Sequence, residues 1–74
     1  MQNGKLLEIV NHIRRKKEKE QFTELKPEYS LSNDLGFDSL DMAELTVRIE
    51  DEFDVDIFED GFVRTVSEIL AKLK

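Results

Sequence analysis

Between Ser39 and Phe53, the residues Met42, Leu45, Ile49 and Phe53 recur at three- and four-residue spacing, the period of an α-helix. Leu40, Ala43 and Val47 form a second stripe, about a third of a turn away on the same helix. Asp41, Glu44, Glu50 and Asp51 lie between and beside the two stripes. The first stripe should face a core, and a helix that is also apolar on part of its acidic face has something to bind there. The same periodicity governs Leu6, Ile9, Val10 and Ile13, and again Val66, Ile69, Leu70 and Leu73. The last of these helices opens on Thr65-Val66-Ser67-Glu68, the spacing of a capping box, in which two side chains satisfy otherwise unpaired backbone amides reciprocally.

The connection between the first two helical patterns is long, from about Phe22 to Asp38. It holds the one proline, Pro27, and turn formers at Ser30, Ser32, Asn33, Asp34 and Gly36. Phe22, Leu25, Tyr29, Leu31 and Leu35 recur within it, which suggests a loop tied down over the bundle rather than free of it. A shorter element is expected over Ile57 to Val63, with Phe58 and Phe62 four apart and Gly61 interrupting it. At 74 residues the chain is near the lower size limit for folding without staples. The expectation is therefore one all-α domain over residues 1–74, a small four-helix bundle with a long first loop and a short third helix.

Charge divides the chain. Up to Pro27 there are seven Lys or Arg against four Asp or Glu; from Glu28 onward there are four against thirteen. An acidic body of this kind repels nucleic acid and anionic membrane surfaces and attracts basic protein patches. Arg14, Arg15, Lys16 and Lys17 suit the negative end of a helix dipole and read as a solvated helix end. RNA binding is the sharper reading of that run, and the acidic remainder opposes it. There is no cysteine and a single histidine, so disulfide frameworks, thiolate zinc sites and the usual nucleophile sets are mostly missing. No apolar run approaches the roughly 18–20 residues of a membrane span, and no leader pattern opens the chain, so the expected compartment is the cytoplasm.

Asp38 and Ser39 stand where the loop meets the acidic helix. On physical grounds Ser39 is an N-cap or first-turn residue, and Asp38 complements the positive helix end. Nothing nearby in the sequence activates the hydroxyl, since His12 belongs to the first helix and no Ser-His-Asp spacing is apparent. However, Asp34-Leu35-Gly36-Phe37-Asp38-Ser39-Leu40-Asp41-Met42-Ala43-Glu44-Leu45 resembles the phosphopantetheine attachment motif of acyl carrier proteins. The similarity continues through Glu50-Asp51-Glu52-Phe53-Asp54-Val55-Asp56-Ile57 and more weakly to the closing helix, while the first helix matches only in length and pattern.

That resemblance implies a carrier rather than an enzyme. Ser39 would receive a 4'-phosphopantetheine arm from coenzyme A through a phosphopantetheinyl transferase, with Asp38 and Leu40 flanking the attachment point. An anion there suits a helix start. It further implies that Asp38, Asp41, Glu44, Glu50 and Asp51 meet basic patches on acyl-transferring and synthase enzymes, with Leu40 and Val47 as small apolar contacts, and that the carrier acts as a monomer. Each carboxylate equally reads as part of a solvated acidic face. Leu45, Ile49, Phe53, Ile57 and Ile69 would line a shelter for the acyl chain, or else form plain packed core. Phe37, where the family more often has a small or polar residue, and Arg48, which interrupts the acidic helix, depart from the pattern. Peptidyl and D-alanyl carriers share the attachment logic, and an unmodified acidic docking module is the rival reading. An EF-hand starting at Asp54 fails, because Glu59 and Thr65 stand where glycine and glutamate are required.

Overall fold

A computed structural model of the chain describes residues 2–59, 61 and 63–73. Among them are three helices, α1 (Gln2–Lys16), α2 (Ser39–Phe53) and α3 (Val66–Lys72), and no strand longer than the isolated bridge between Ser30 and Thr65. The expected all-helical fold is present. The short helix expected over Ile57–Val63 is, in its described part, a turn at residues 57–59. Asp56 shapes it by accepting the Phe58 amide on its side chain, which draws the chain into a turn instead of starting a longer helix. Phe62 lies outside the described residues.

Both long helices stop on a left-handed residue that is not glycine. Glu18 has φ 59°, and the amides of Glu18 and Lys19 donate back to the carbonyls of Arg15 and Arg14, the pairing of a Schellman cap. Asp54 ends α2 with the same φ, its amide donating to the Glu50 carbonyl. At α3, Thr65 and Glu68 form the capping box that the sequence spacing predicts.

The core draws on every segment. Leu6, Val10 and Ile13 come from α1, Leu45 and Ile49 from α2, Val66 and Ile69 from α3, and Ile57 from the turn before α3. The long loop adds Leu25, Leu31, Leu35 and Phe37, all buried, so it is a layer of the core and not a cover over it.

Polar contacts fix the two ends of that layer. Asn11 donates to the Phe22 carbonyl at 2.8 Å and accepts the Phe22 amide at 2.7 Å, pinning the loop to α1. The Arg14 guanidinium lies 4.5 Å from the centre of the Phe22 ring, which in turn tilts against Tyr29. Farther along, the Leu31 amide donates to the Arg64 carbonyl, and the Val66 and Ser67 amides donate to the carbonyls of Tyr29 and Pro27. Two of the first-turn amides of α3 are thereby satisfied by the loop.

Because Leu31 and Leu35 are as buried as Ile49, Leu31→Ala or Leu35→Ala should cost about 2–5 kcal/mol, in the range of Ile49→Ala. Denaturant unfolding at 25 °C measures this. A loop variant unfolding like the unaltered chain would show that the loop is not part of the core.

Candidate functional site

Asp38 is the N-cap of α2 and Ser39 its first helical residue. The cap is reciprocal. Asp38 accepts the Asp41 amide at 2.9 Å, and the Asp38 amide donates to Asp41 Oδ2 at 3.0 Å. With Asp38 holding the cap, Ser39 is not needed there. Its side chain is exposed and its hydroxyl makes no hydrogen bond to any described residue. It therefore stands exposed at a helix start, and the carboxylates of Asp38 and Asp41 beside it are taken up by the cap.

The cap is held from the other side by α1. Lys17 donates to Asp41 Oδ2 at 2.6 Å and stands 3.7 Å from Asp38 Oδ2. Arg14 donates to the Leu35 carbonyl at 2.7 Å and to the Glu20 carbonyl at 2.6 Å, while Lys17 reaches the Gly36 carbonyl at 3.4 Å. The turn that delivers Ser39 is thus pinned by cations from the end of α1. Gly36 fits beneath them because its φ is 72° and a Cβ there would meet Lys19 Nζ at 3.0 Å. Arg14 and Lys17, which read in the sequence as part of a solvated helix end, are instead a fastening, while Arg15 is exposed. The D-x-x-D spacing of Asp38 and Asp41, and the opposite charges of the chain's two parts, are the signals that point to it.

Asp41, expected on the acidic face, is buried, 8% exposed, and turned toward Lys17. A buried carboxylate is tolerated only when paired, and Lys17 together with the Asp38 amide supplies the pairing. Glu44 is half-buried and also engaged. Lys16 lies 3.1 Å from both its oxygens and Arg48 Nε 2.8 Å from Oε2. Arg48 in turn contacts His12 Nε2 at 2.9 Å, which accounts for the departure at position 48 as a link to α1. Asp38, Leu40, Val47, Glu50 and Asp51 are exposed, Leu40 by 80% and Val47 by 64%.

Beside Ser39 lies an open cleft of about 680 Å³, lined by Phe37, Asp38, Ser39, Met42, Ala43, Thr46 and Phe58. The Thr46 hydroxyl is occupied by the Met42 carbonyl at 2.8 Å, which leaves the cleft wall mostly apolar. Phe37, a second departure from the expected pattern, is at once a core residue and part of this wall. The residues expected to shelter an acyl chain lie deeper. Leu45, Ile49, Ile57 and Ile69 are fully buried in the common core, with Phe53 partly buried against it, and none of the five lines the cleft.

Residues 5–73 match the family model described as "Phosphopantetheine attachment site". The chain belongs to this phosphopantetheine-attachment family. Proteins named acyl carrier protein are similar to it: one from Syntrophus aciditrophicus (strain SB), 45% identical over 69% of this chain and 66% of its own length, and one from Trieres chinensis, 40% identical over 65% and 62%. A third, from Nitratidesulfovibrio vulgaris (strain DP4), is 54% identical over 50% of this chain and 49% of its own length. The chain thus spans between half and two thirds of the length of these relatives. No solved structure matches it. The prosthetic group of the family is 4'-phosphopantetheine, and its members carry rather than catalyse.

A hydrogen bond from the Asp41 amide and the charge of nearby Lys17 hold the Asp38 carboxyl below its ordinary value, and Arg48 and Lys16 do the same for Glu44. Backbone amides at Arg64 and Thr65 depress Glu68, while Asp41 raises Lys17 above 10.5. Depressed carboxylates stabilise the fold above their ordinary values of 3.8 and 4.5 and lose that contribution as pH falls through the folded values. The raised Lys17 contributes fully below 10.5 and is lost only as pH rises through its folded value. Thermal stability should therefore be level across neutral pH and fall in acid below about pH 4.5. Lys17→Met should lower the melting temperature at pH 7 more than Lys16→Met, because it alone strands Asp41. Equal effects in thermal melts would refute the fastening.

Proposed function

We propose that this chain is an acyl carrier protein in which Ser39 receives the 4'-phosphopantetheine arm. The supporting observation is the Asp38–Asp41 cap, which frees the Ser39 hydroxyl and leaves it exposed at the start of α2, where amides and dipole favour a phosphodiester. Asp38 and Leu40 flank the attachment point. When bound, the arm ends in a thiol that holds acyl groups as thioesters, in a chain that has no cysteine of its own. The chain's own contribution is positioning. The cap fixes the direction of α2, Lys17 and Arg14 fix the turn ahead of it, and the cleft walled by Phe37, Met42 and Phe58 offers the arm an apolar surface.

On this reading the partners are a phosphopantetheinyl transferase and the acyl-transferring and synthase enzymes of fatty-acid or related acyl biosynthesis. Basic patches on those enzymes would meet Asp38, Glu50 and Asp51, and apolar sockets would take Leu40 and Val47. The carrier acts as a monomeric domain over residues 1–74 in the cytoplasm and does not bind nucleic acid. The Ile57–Val63 segment is taken as the stub of a fourth helix. For cargo to be sheltered, Leu45, Ile49, Phe53, Ile57 and Ile69 would part beneath the cleft, each buried methylene returning about 0.8 kcal/mol.

Incubation with coenzyme A and a broad-specificity transferase should add the mass of one phosphopantetheine to the unaltered chain and none to Ser39→Ala. A folded chain that gains nothing would leave Ser39 an idle helix residue and favour an unmodified docking module built on Leu40 and Val47. Sheltering predicts a melting temperature that rises from short to medium acyl cargo; identical melting would exclude it.

A further inference from the structure

Glu44 sits near the middle of α2, four residues before Arg48 on the same side of the helix. Two cations converge on this one carboxylate. Lys16 Nζ is 3.1 Å from both oxygens, Arg48 Nε is 2.8 Å from Oε2, and the side chain is 24% exposed. Both oxygens of this carboxylate are thereby engaged within the chain by two cations. The Lys16 side chain is 57% exposed and that of Arg48 40%. Arg48 is braced by His12 Nε2 at 2.9 Å, and Lys16 is the last residue of α1, just ahead of the Lys17 fastening. Glu50 and Asp51, farther along α2, are exposed and take no ion pair within the described residues.

We propose that Lys16 and Arg48 are selectivity determinants that withhold Glu44 from basic partner surfaces. Docking on α2 is thereby restricted to enzymes whose cations reach Glu50 and Asp51 while their apolar sockets accept Leu40 and Val47. The occupant of the face is a partner enzyme with its basic residues placed toward the C-terminal end of α2. An enzyme with a lysine or arginine opposite the middle of the helix meets two like charges instead of a carboxylate, and like-charge juxtaposition disfavours the wrong partner. Partly exposed pairs are individually weak. The expected effect is accordingly a several-fold change in encounter efficiency, not its abolition.

The inference rests on the carrier reading, because it concerns enzymes that come to Ser39. It is tested with the full chain, coenzyme A and a broad-specificity phosphopantetheinyl transferase, by following kcat/KM for arm transfer against sodium chloride concentration. Lys16→Met with Arg48→Met keeps the aliphatic stems and removes both charges. This double variant should be modified about threefold to tenfold more efficiently at low salt, the gain vanishing as screening shortens below about 8 Å. Lys16→Arg with Arg48→Lys keeps both charges and should behave as the unaltered chain does. Glu50→Gln with Asp51→Asn should be modified more slowly. Circular dichroism of each variant establishes that it is folded. A folded Met variant that is no faster, or a Glu50/Asp51 variant as fast as the unaltered chain, overturns the inference while leaving the carrier reading intact. Failure of the unaltered chain to accept the arm at all brings down both.

Discussion

The contact between Lys17, just past the end of α1, and the first turn of α2 sets the rest of the site. Lys17 meets Asp41 at 2.6 Å across the two helices, and Asp41 in turn holds the Asp38 amide at the cap. One carboxylate therefore serves a helix end and an interhelical ion pair together. Its burial removes it from water, which makes each of those contacts electrostatically stronger and an unpaired Asp41 correspondingly costly. Arg14 adds a second tether to the backbone just before the cap, at Leu35. The direction in which Ser39 leaves the protein surface follows from these few bonds, not from any contact made by the serine itself.

Much of this architecture is readable from the residues, and the reasons differ by element. The stripes of α1 and α2 and the Thr65–Glu68 box are local patterns, and they fold as their spacing dictates. The burial of Leu31 and Leu35 follows from the recurrence of apolar residues through the loop. What periodicity does not carry is the pairing of residues far apart in the chain. Arg14, Lys16 and Lys17 read as a solvated end because Leu35, Glu44 and Asp41, which they meet, lie 21, 28 and 24 residues away. For the same reason Asp41 reads as one more acid on an acidic face. A helical wheel puts it beside Glu44 and cannot tell that α1 covers that edge.

The site also divides labour between residues that are often read together. Ser39 contributes exposure, Asp38 and Asp41 contribute order, and Leu40 and Val47 remain bare. A serine meant to attack a substrate would need a base within reach and an orienting partner for that base. A serine meant to be modified by another protein needs only a fixed, accessible position. The helix start meets the second requirement.

The two kinds of fastening divide the molecule mechanically. α1, α2 and the turn before Ser39 are joined by side-chain ion pairs and by Arg14, whereas the middle of the loop and the start of α3 are joined through the backbone, at Tyr29, Leu31 and Pro27. Between the two parts lies a layer of the apolar core, Leu45 and Ile49 from one and Leu31, Val66 and Ile69 from the other, crossed by backbone bonds from Leu35 to Ser30 and from Phe37 to Leu31. Sheltering of an acyl chain, as proposed above, would part this layer at a cost that grows with the apolar area exposed, while the bonds at Asp41 and Leu35 that aim Ser39 stay made.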